Sequence, residues 1–187
     1  MTDDSALLAA LAVIQSHGAI GERSLVGAVA HADRFVELVP AGRRSLVDLG
    51  SGGGLPALVI AWRRPDVIVT MVERRATRAD LLRRAIASLG LGGVVEVLNV
   101  DAAMLADDLP QRFDVVTARS FADVDVTARF IDILLADNGV GLVSEPPTDR
   151  GEAWAAVLSR FPTLVDDGVY QGIRRFRRLQ GMANGFT

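Results

Sequence analysis

An acid, four glycines and an apolar run stand together in S-L-V-D-L-G-S-G-G-G-L, residues 45–55, with Pro56 directly after them. Gly50, Gly52, Gly53 and Gly54 allow the backbone to turn sharply and to approach a ligand that a Cβ would hold away. The apolar stretch after them reads as a helix with proline in its first turn, where a missing N–H does little harm. The start of such a helix offers unpaired N–H groups to an anionic group. Two further acids end later apolar runs. Glu73 closes V-I-V-T-M-V, twenty-three residues after Gly50, where a carboxylate can accept from both hydroxyls of a ribose. An ion pair with Arg74, Arg75 or Arg78 is the other reading of Glu73. Asp101 closes V-V-E-V-L-N-V and, with Ala102, is placed either to meet an adenine amino group or to cap a helix over 102–106. Arg119 follows F-D-V-V-T-A, and a charge directly after a buried strand is costly unless it is paired or used. The dinucleotide fingerprint G-x-G-x-x-G fails at its last position, which is Leu55; the spacing present is D-x-G-x-G-x-G from Asp48 to Gly54.

The composition narrows the chemistry. There is no cysteine, hence no disulfide, thiolate nucleophile or cysteine zinc site. His17 and His31 are the sole histidines, too few for a histidine metal cluster, and each reads more readily as a surface or core side chain than as a ligand. All twenty basic residues are arginine, which excludes lysine-based catalysis. A net charge of −3 means that a nucleic acid would have to meet a local basic face. No apolar run reaches the ~18 residues that span a bilayer, and the acidic M-T-D-D start argues against a secretory signal. A length of 187 residues fits one domain, with 1–42 as a helical cap and 43–187 as the core.

The elements that must hold these groups follow from periodicity. The spacing predicts helices over 5–17, with Ser5 as N-cap and Gly18 as stop, and over 22–38. A helix over 56–64 follows the glycine loop, and a β-branched strand spans 67–72. Thr77 and Asp80 suggest a capped helix start, ended by Gly90. Strands at 94–100, 113–118 and 140–144 alternate with a helix over 123–136, in which Val126, Phe130, Ile133 and Leu134 point inward. Glu145-Pro146-Pro147 opens a loop into a helix over 151–160 that carries Trp154, and 169–179 suits two closing strands. Along a strand, Arg174, Phe176 and Arg178 share one face and Arg175 and Arg177 the other. The outward pair is read either as an RNA contact or as charge protecting an edge strand. The alternation gives an α/β fold: a doubly wound, mostly parallel sheet with a terminal antiparallel hairpin and short N-terminal helices.

The glycine spacing is similar to the S-adenosyl-L-methionine loop of Rossmann-like methyltransferases. With V-E-R-R-x-x-R-x-x-L-L, N-V-D-A and F-D-V-V-T-A-R-S-F, it resembles the bacterial small-subunit ribosomal RNA guanine-N7 methyltransferases, the glucose-inhibited division protein B family, from about Leu46 to about Leu142. The resemblance implies a cytoplasmic, S-adenosyl-L-methionine-dependent enzyme with an RNA partner, no membrane and no metal. Its cofactor residues are expected among Asp48, Gly50, Gly52, Gly54, Leu55, Glu73, Asp101, Ala102 and Arg119. Arg119 also reaches toward the acceptor side as a positioning candidate, and no catalytic base is implied. The family's lysine-glycine pair after the fifth strand is replaced by Ser144-Glu145-Pro146, and its tryptophan-asparagine motif is not found. These departures keep open a diverged enzyme acting on a small molecule or protein, and a non-catalytic module that binds the cofactor.

Overall fold

Unbroken runs of branched apolar residues fit strands covered on both faces. In the computed structural model, which describes residues 4–22, 24–148 and 150–180, these runs form β1 (Arg44–Leu49), β2 (Val67–Val72), β3 (Val95–Leu98), β4 (Phe113–Ala118) and β5 (Leu135–Ser144). β6 (Leu164–Tyr170) and β7 (Ile173–Arg178) complete a seven-stranded sheet in the order β3-β2-β1-β4-β5-β7-β6. The first five strands pair in parallel, and β7 runs antiparallel to both of its neighbours. The chain leaves β1 in one direction and returns at β4 to build the other, so the strand order reverses between them. That reversal opens a crevice at the carboxyl ends of the strands.

The helices are α1 (Ser5–Ser16), α2 (Leu25–Leu38), α3 (Ala57–Arg63), α4 (Ala76–Ser88), α5 (Ala102–Asp108), α6 (Val124–Leu134) and α7 (Gly151–Leu158). The sheet separates two apolar cores. Leu46, Met71 and Val115 pack with α1 to α4, whereas Val47, Leu49 and Val116 pack with α5 to α7. Arg63 ties the first layer together: its Nε donates to Asp33 Oδ1 at 3.0 Å and its Nη2 to Asp4 Oδ2 at 2.7 Å. The same hydrogen bonding holds the Asp4 carboxyl below its ordinary range.

Several helix starts differ from the expected ones. Asp4 rather than Ser5 precedes α1 and is held by Arg63 instead of capping. The second helix starts at Leu25, where Ser24 accepts from the Gly27 N–H at 3.3 Å. Thr77 and Asp80 lie inside α4; Asp80 accepts from Arg83 at 2.8 Å, and the helix start is fixed at Arg75 instead. Asp123 caps α6 by accepting from the Val126 N–H, which leaves the Val126 side chain on the outer side at 36% exposure while Ile131 is buried. The final hairpin begins at Leu164, earlier than the 169–179 window, and turns at Gln171 and Gly172, both with positive φ.

The strand alternation expected for β7 is observed, with the buried face occupied by Arg174, Phe176 and Arg178. Burial of two guanidiniums is tolerated because each meets acids. Arg174 reaches Glu145 at 3.3 Å and Asp166 at 2.5 Å, and Arg178 reaches Asp132 at 2.9 Å. Glu145 is further held by Trp154 Nε1 at 2.7 Å and Arg150 Nε at 2.9 Å. On the outer face, Arg177 and Arg175 share Asp167, at 2.6 and 3.8 Å. Because β7 lies between β5 and β6, its charges do not guard a sheet edge.

Gly54 shows what one loop glycine does for packing. Its φ is +85°, and a Cβ there would lie 2.5 Å from Leu58 Cδ1. Gly54→Ala is expected to lower stability by about 1–3 kcal/mol, the range of overpacked cores. A urea unfolding midpoint unchanged from wild type would show that the α3 packing relaxes freely.

Candidate functional site

The register Val72↔Leu49 and Leu49↔Ala118 brings Gly50, Glu73 and Arg119 to one end of three adjacent strands. Glu73 is 5% exposed and organises the loops around it. Its Oε2 accepts from the Gly52 N–H at 2.9 Å and its Oε1 from the Arg75 N–H at 2.8 Å. Asn99 Nδ2 donates to the Glu73 carbonyl at 2.8 Å, joining the end of β3 to the same point. Backbone N–H groups therefore engage both carboxylate oxygens, in place of the ion pair with Arg74, Arg75 or Arg78. A carboxylate offers about four acceptor directions, so each oxygen retains room for another donor.

Gly50, Glu73, Asp101, Ala102 and Phe121 border a cavity of about 380 Å³. Gly50, Gly52, Leu55 and Arg119 border a neighbouring one of about 200 Å³. The structure thus gathers seven of the nine sequence-derived residues around two adjoining cavities that share Gly50, Arg78 and Ser120. Asp101 also caps α5, accepting from the Ala103 N–H at 3.0 Å, so the helix-cap geometry is present at the cavity rim.

The other two lie elsewhere. Gly54 packs against Leu58, as described. Asp48 is buried beneath the loop at 1% exposure. Its Oδ1 accepts from Thr117 Oγ1 at 2.6 Å, and its Oδ2 has no hydrogen-bond partner. Burial pushes the Asp48 carboxyl up to about 6, against the opposing pull of Thr117, Ser51 and the Arg119 charge.

The loop glycines are required for different reasons. A Cβ on Gly50 would lie 2.9 Å from Phe121 Cδ2, and one on Gly53 would lie 2.3 Å from Ile20 Cγ1. At Gly52 the nearest atoms would be 3.6 and 3.8 Å away, ordinary van der Waals contact, so the left-handed φ of +53° rather than crowding favours glycine there. Ala19 and Ile20 also border the smaller cavity, a contribution without a sequence signal, because nothing in a helix-connecting segment marks contact with a glycine loop.

A third and larger cavity, about 620 Å³, lies across the Arg119–Ala122 segment toward β5. His31, Arg34, Ser144 and Arg150 belong to it. His31 Nε2 and Ser144 Oγ are 3.1 Å apart. Ser120 borders all three cavities and has φ +51°, a conformation that L side chains adopt at some strain and that recurs at functional sites.

A family model described as rRNA small subunit methyltransferase G matches residues 11–153. The ribosomal RNA small subunit methyltransferase G of Acidiphilium cryptum is 36% identical over 141 residues, covering 72% of this chain and 63% of the relative. That of Acidothermus cellulolyticus is 37% identical over 163 residues, covering 81% and 68%. The chain spans 63%, 59% and 53% of the length of three such relatives, from A. cryptum, Salinispora tropica and Salinispora arenicola. Among solved structures, a methyltransferase from Geobacter sulfurreducens superposes with a TM-score of 0.67 at 17% identity, covering 96% of this chain and 91% of that one. M. jannaschii TYW2 in complex with AdoMet superposes with a TM-score of 0.64 at 16% identity, covering 85% and 79%. These two likenesses show that the chain shares the Rossmann-like fold of those proteins.

Proposed function

Because the chain belongs to the rRNA small subunit methyltransferase G family, we propose that it methylates N7 of a guanine in small-subunit ribosomal RNA, using S-adenosyl-L-methionine. One observation carries the reading: the buried Glu73 carboxylate, oriented by two backbone N–H groups, stands beside the glycine loop on the wall of a cavity that continues to Arg119. The residues fit that cofactor. Glu73 keeps acceptor capacity for two ribose hydroxyls, Asp101 and Ala102 stand at the rim for an adenine, and the unpaired Asp48 Oδ2 puts acceptor character beneath a loop that would face a cationic group.

When bound, the cofactor supplies an electrophilic methyl group on a sulfonium. The chain's own task is placement. Glu73 and Asp101 fix the adenosine end, and Gly52 borders the smaller cavity beside them. Arg119, shared by the 200 Å³ and the 620 Å³ cavities, orients the acceptor side. Guanine N7 already carries an in-plane lone pair, so no side chain has to remove a proton before attack. Orientation and exclusion of water then supply most of the acceleration. A ribosomal substrate implies a cytoplasmic protein; no helix among the described residues is long and apolar enough to cross a membrane.

The second reading, a relative acting on a small molecule or protein, is favoured by Glu145. It directly follows β5 and is held by Arg150, Arg174 and Trp154. Mass spectrometry of nucleosides from small-subunit RNA incubated with protein and cofactor separates the two. N7-methylguanosine is the expected product, and its absence from both naked RNA and assembled subunits, with cofactor binding intact, overturns the RNA reading.

Two variants accompany that test. Asp101→Ala is expected to weaken cofactor binding by roughly 1–3 kcal/mol by calorimetry, with a smaller loss of stability from the cap. Arg119→Ala is expected to reduce turnover by at least about tenfold, about 1.4 kcal/mol of transition-state stabilisation, while moving the unfolding midpoint little. The reverse pattern, lost stability with retained turnover, would assign Arg119 to the fold.

A further inference from the structure

Methyl transfer requires the acceptor atom to come within about 3–3.5 Å of the donor carbon. The acceptor must therefore enter a cavity that shares a wall with the cofactor side. The 620 Å³ cavity does so through Arg119, Ser120, Phe121 and Ala122, the turn that leaves β4. At about 620 Å³ it lies within the roughly 300–1,000 Å³ of small-molecule sites. Such a volume admits a nucleotide and excludes a duplex, so a base taken there must be unpaired or extruded.

The lining carries the chemistry of a nucleotide. Among the described lining residues, Arg34, Arg119 and Arg150 stand against one acid, Glu145. Glu145 is moreover engaged by Arg150, Arg174 and the Trp154 indole. An electropositive cavity favours a ligand that brings phosphate. Arg34 is exposed on α2 at the cavity mouth, where its Nη1 donates to the Gln171 carbonyl at 2.9 Å, a contact a phosphate can replace. The tail arginines are less suited to phosphate, because Asp132, Asp166 and Asp167 already meet them.

Phe121 supplies the second part of the site. Its ring borders both the cofactor cavity and the larger one, packs against Gly50, and is braced edge-to-face by Phe130 at a centroid distance of 5.6 Å. A fixed aromatic face between donor and acceptor cavities is a stacking platform for a purine. Ser120, with its left-handed backbone, directly precedes Phe121 and also borders both cavities. His31 and Ser144, 3.1 Å apart on the opposite wall, offer hydrogen-bonding groups to the base edge.

We propose that this cavity is the acceptor pocket, taking an extruded or single-stranded purine nucleotide, with Phe121 as its stacking platform and Arg34 as a phosphate contact. The proposal rests on the reading of the glycine-loop cavities as the cofactor side, and its test does not depend on turnover. Saturation-transfer NMR with guanosine 5′-monophosphate on protein saturated with S-adenosylhomocysteine reads the pocket directly. Binding is expected in wild type and weaker by roughly 5- to 100-fold in Phe121→Ala, with recovery in Phe121→Trp. Arg34→Gln should weaken the nucleotide and spare guanosine, while leaving S-adenosylhomocysteine affinity at the wild-type value because Arg34 touches neither cofactor cavity. No nucleotide binding in wild type, or equal binding in all variants, overturns the proposal even where ribosomal RNA is methylated. Loss of S-adenosylhomocysteine binding by the wild-type protein would instead overturn the cofactor reading beneath it.

Discussion

Glu73→Ala is expected to weaken S-adenosyl-L-methionine binding by about 1–3 kcal/mol, some 5- to 150-fold, and to lower folding stability by a comparable amount. The two losses have separate causes. The ligand loses an acceptor for its ribose hydroxyls. The fold loses the group that accepts from the Gly52 and Arg75 N–H groups, at 2.9 and 2.8 Å. With Glu73 at 5% exposure, water reaches those two donors poorly, and an unpaired buried donor carries its full desolvation penalty. Glu73→Gln separates the causes. Its amide oxygen can still accept from one N–H, but its NH₂ faces the other donor and cannot accept from a hydroxyl. Cofactor affinity in Glu73→Gln should therefore resemble that of alanine, with a smaller fall in the urea midpoint. A fall in the midpoint with wild-type calorimetric affinity in both variants would leave Glu73 as a clamp between two loops and remove it from the cofactor site.

That double role explains why two of the strands were legible in the sequence and the start of α4 was not. Val67–Val72 and Phe113–Ala118 read at their observed boundaries because a parallel strand buried on both faces leaves an unbroken apolar run. Thr77 and Asp80 have the spacing of a capping box, yet α4 starts where Glu73, at the end of the preceding strand, captures the Arg75 N–H. A local pattern lost to a partner supplied by the sheet. The glycines show the same limit. Composition announces that residues 50, 52, 53 and 54 must lack a Cβ, but Phe121, Ile20 and Leu58, which set the reason at Gly50, Gly53 and Gly54, come from three different segments.

Charge pairing was the least legible feature. Alternation identified which tail arginines share a face, whereas the acids that receive them, Asp132 and Glu145, lie 46 and 29 residues away. The large cavity is assembled over longer distances still, since His31 and Ser144 are separated by 113 positions. What the sequence did expose was the group of residues at strand ends, because in a doubly wound sheet the carboxyl ends meet at one crevice whatever the loops between them do.

Asp48 yields the remaining large effect, and it depends on pH. Its carboxyl is raised from 3.8 to about 6 in the folded protein, mainly by burial. A folded state that prefers the protonated acid binds an extra proton between those two values. Stability is therefore greatest below pH 3.8, declines as pH rises toward 6, and is flat above it with respect to this group. A shift of about two units corresponds to roughly 3 kcal/mol lost over that window. Asp48→Asn keeps an acceptor for Thr117 Oγ1 and cannot ionise, so it should remove most of this slope and be more stable than wild type at pH 7 by up to that amount, less whatever its buried NH₂ costs. The acid then needs a reason to stand there, and a cationic ligand provides one. Ionised Asp48 favours the positive charge of S-adenosyl-L-methionine, so wild-type affinity should rise through pH 6 by about tenfold, while Asp48→Asn binds more weakly with no such rise. S-adenosylhomocysteine, which lacks the sulfonium, should show the smaller pH dependence. Calorimetric titrations of both ligands at pH 5, 6 and 7 decide the matter. Parallel pH profiles for wild type and Asp48→Asn would uncouple the buried carboxylate from the ligand, leaving Asp48 as a strained element of the fold alone.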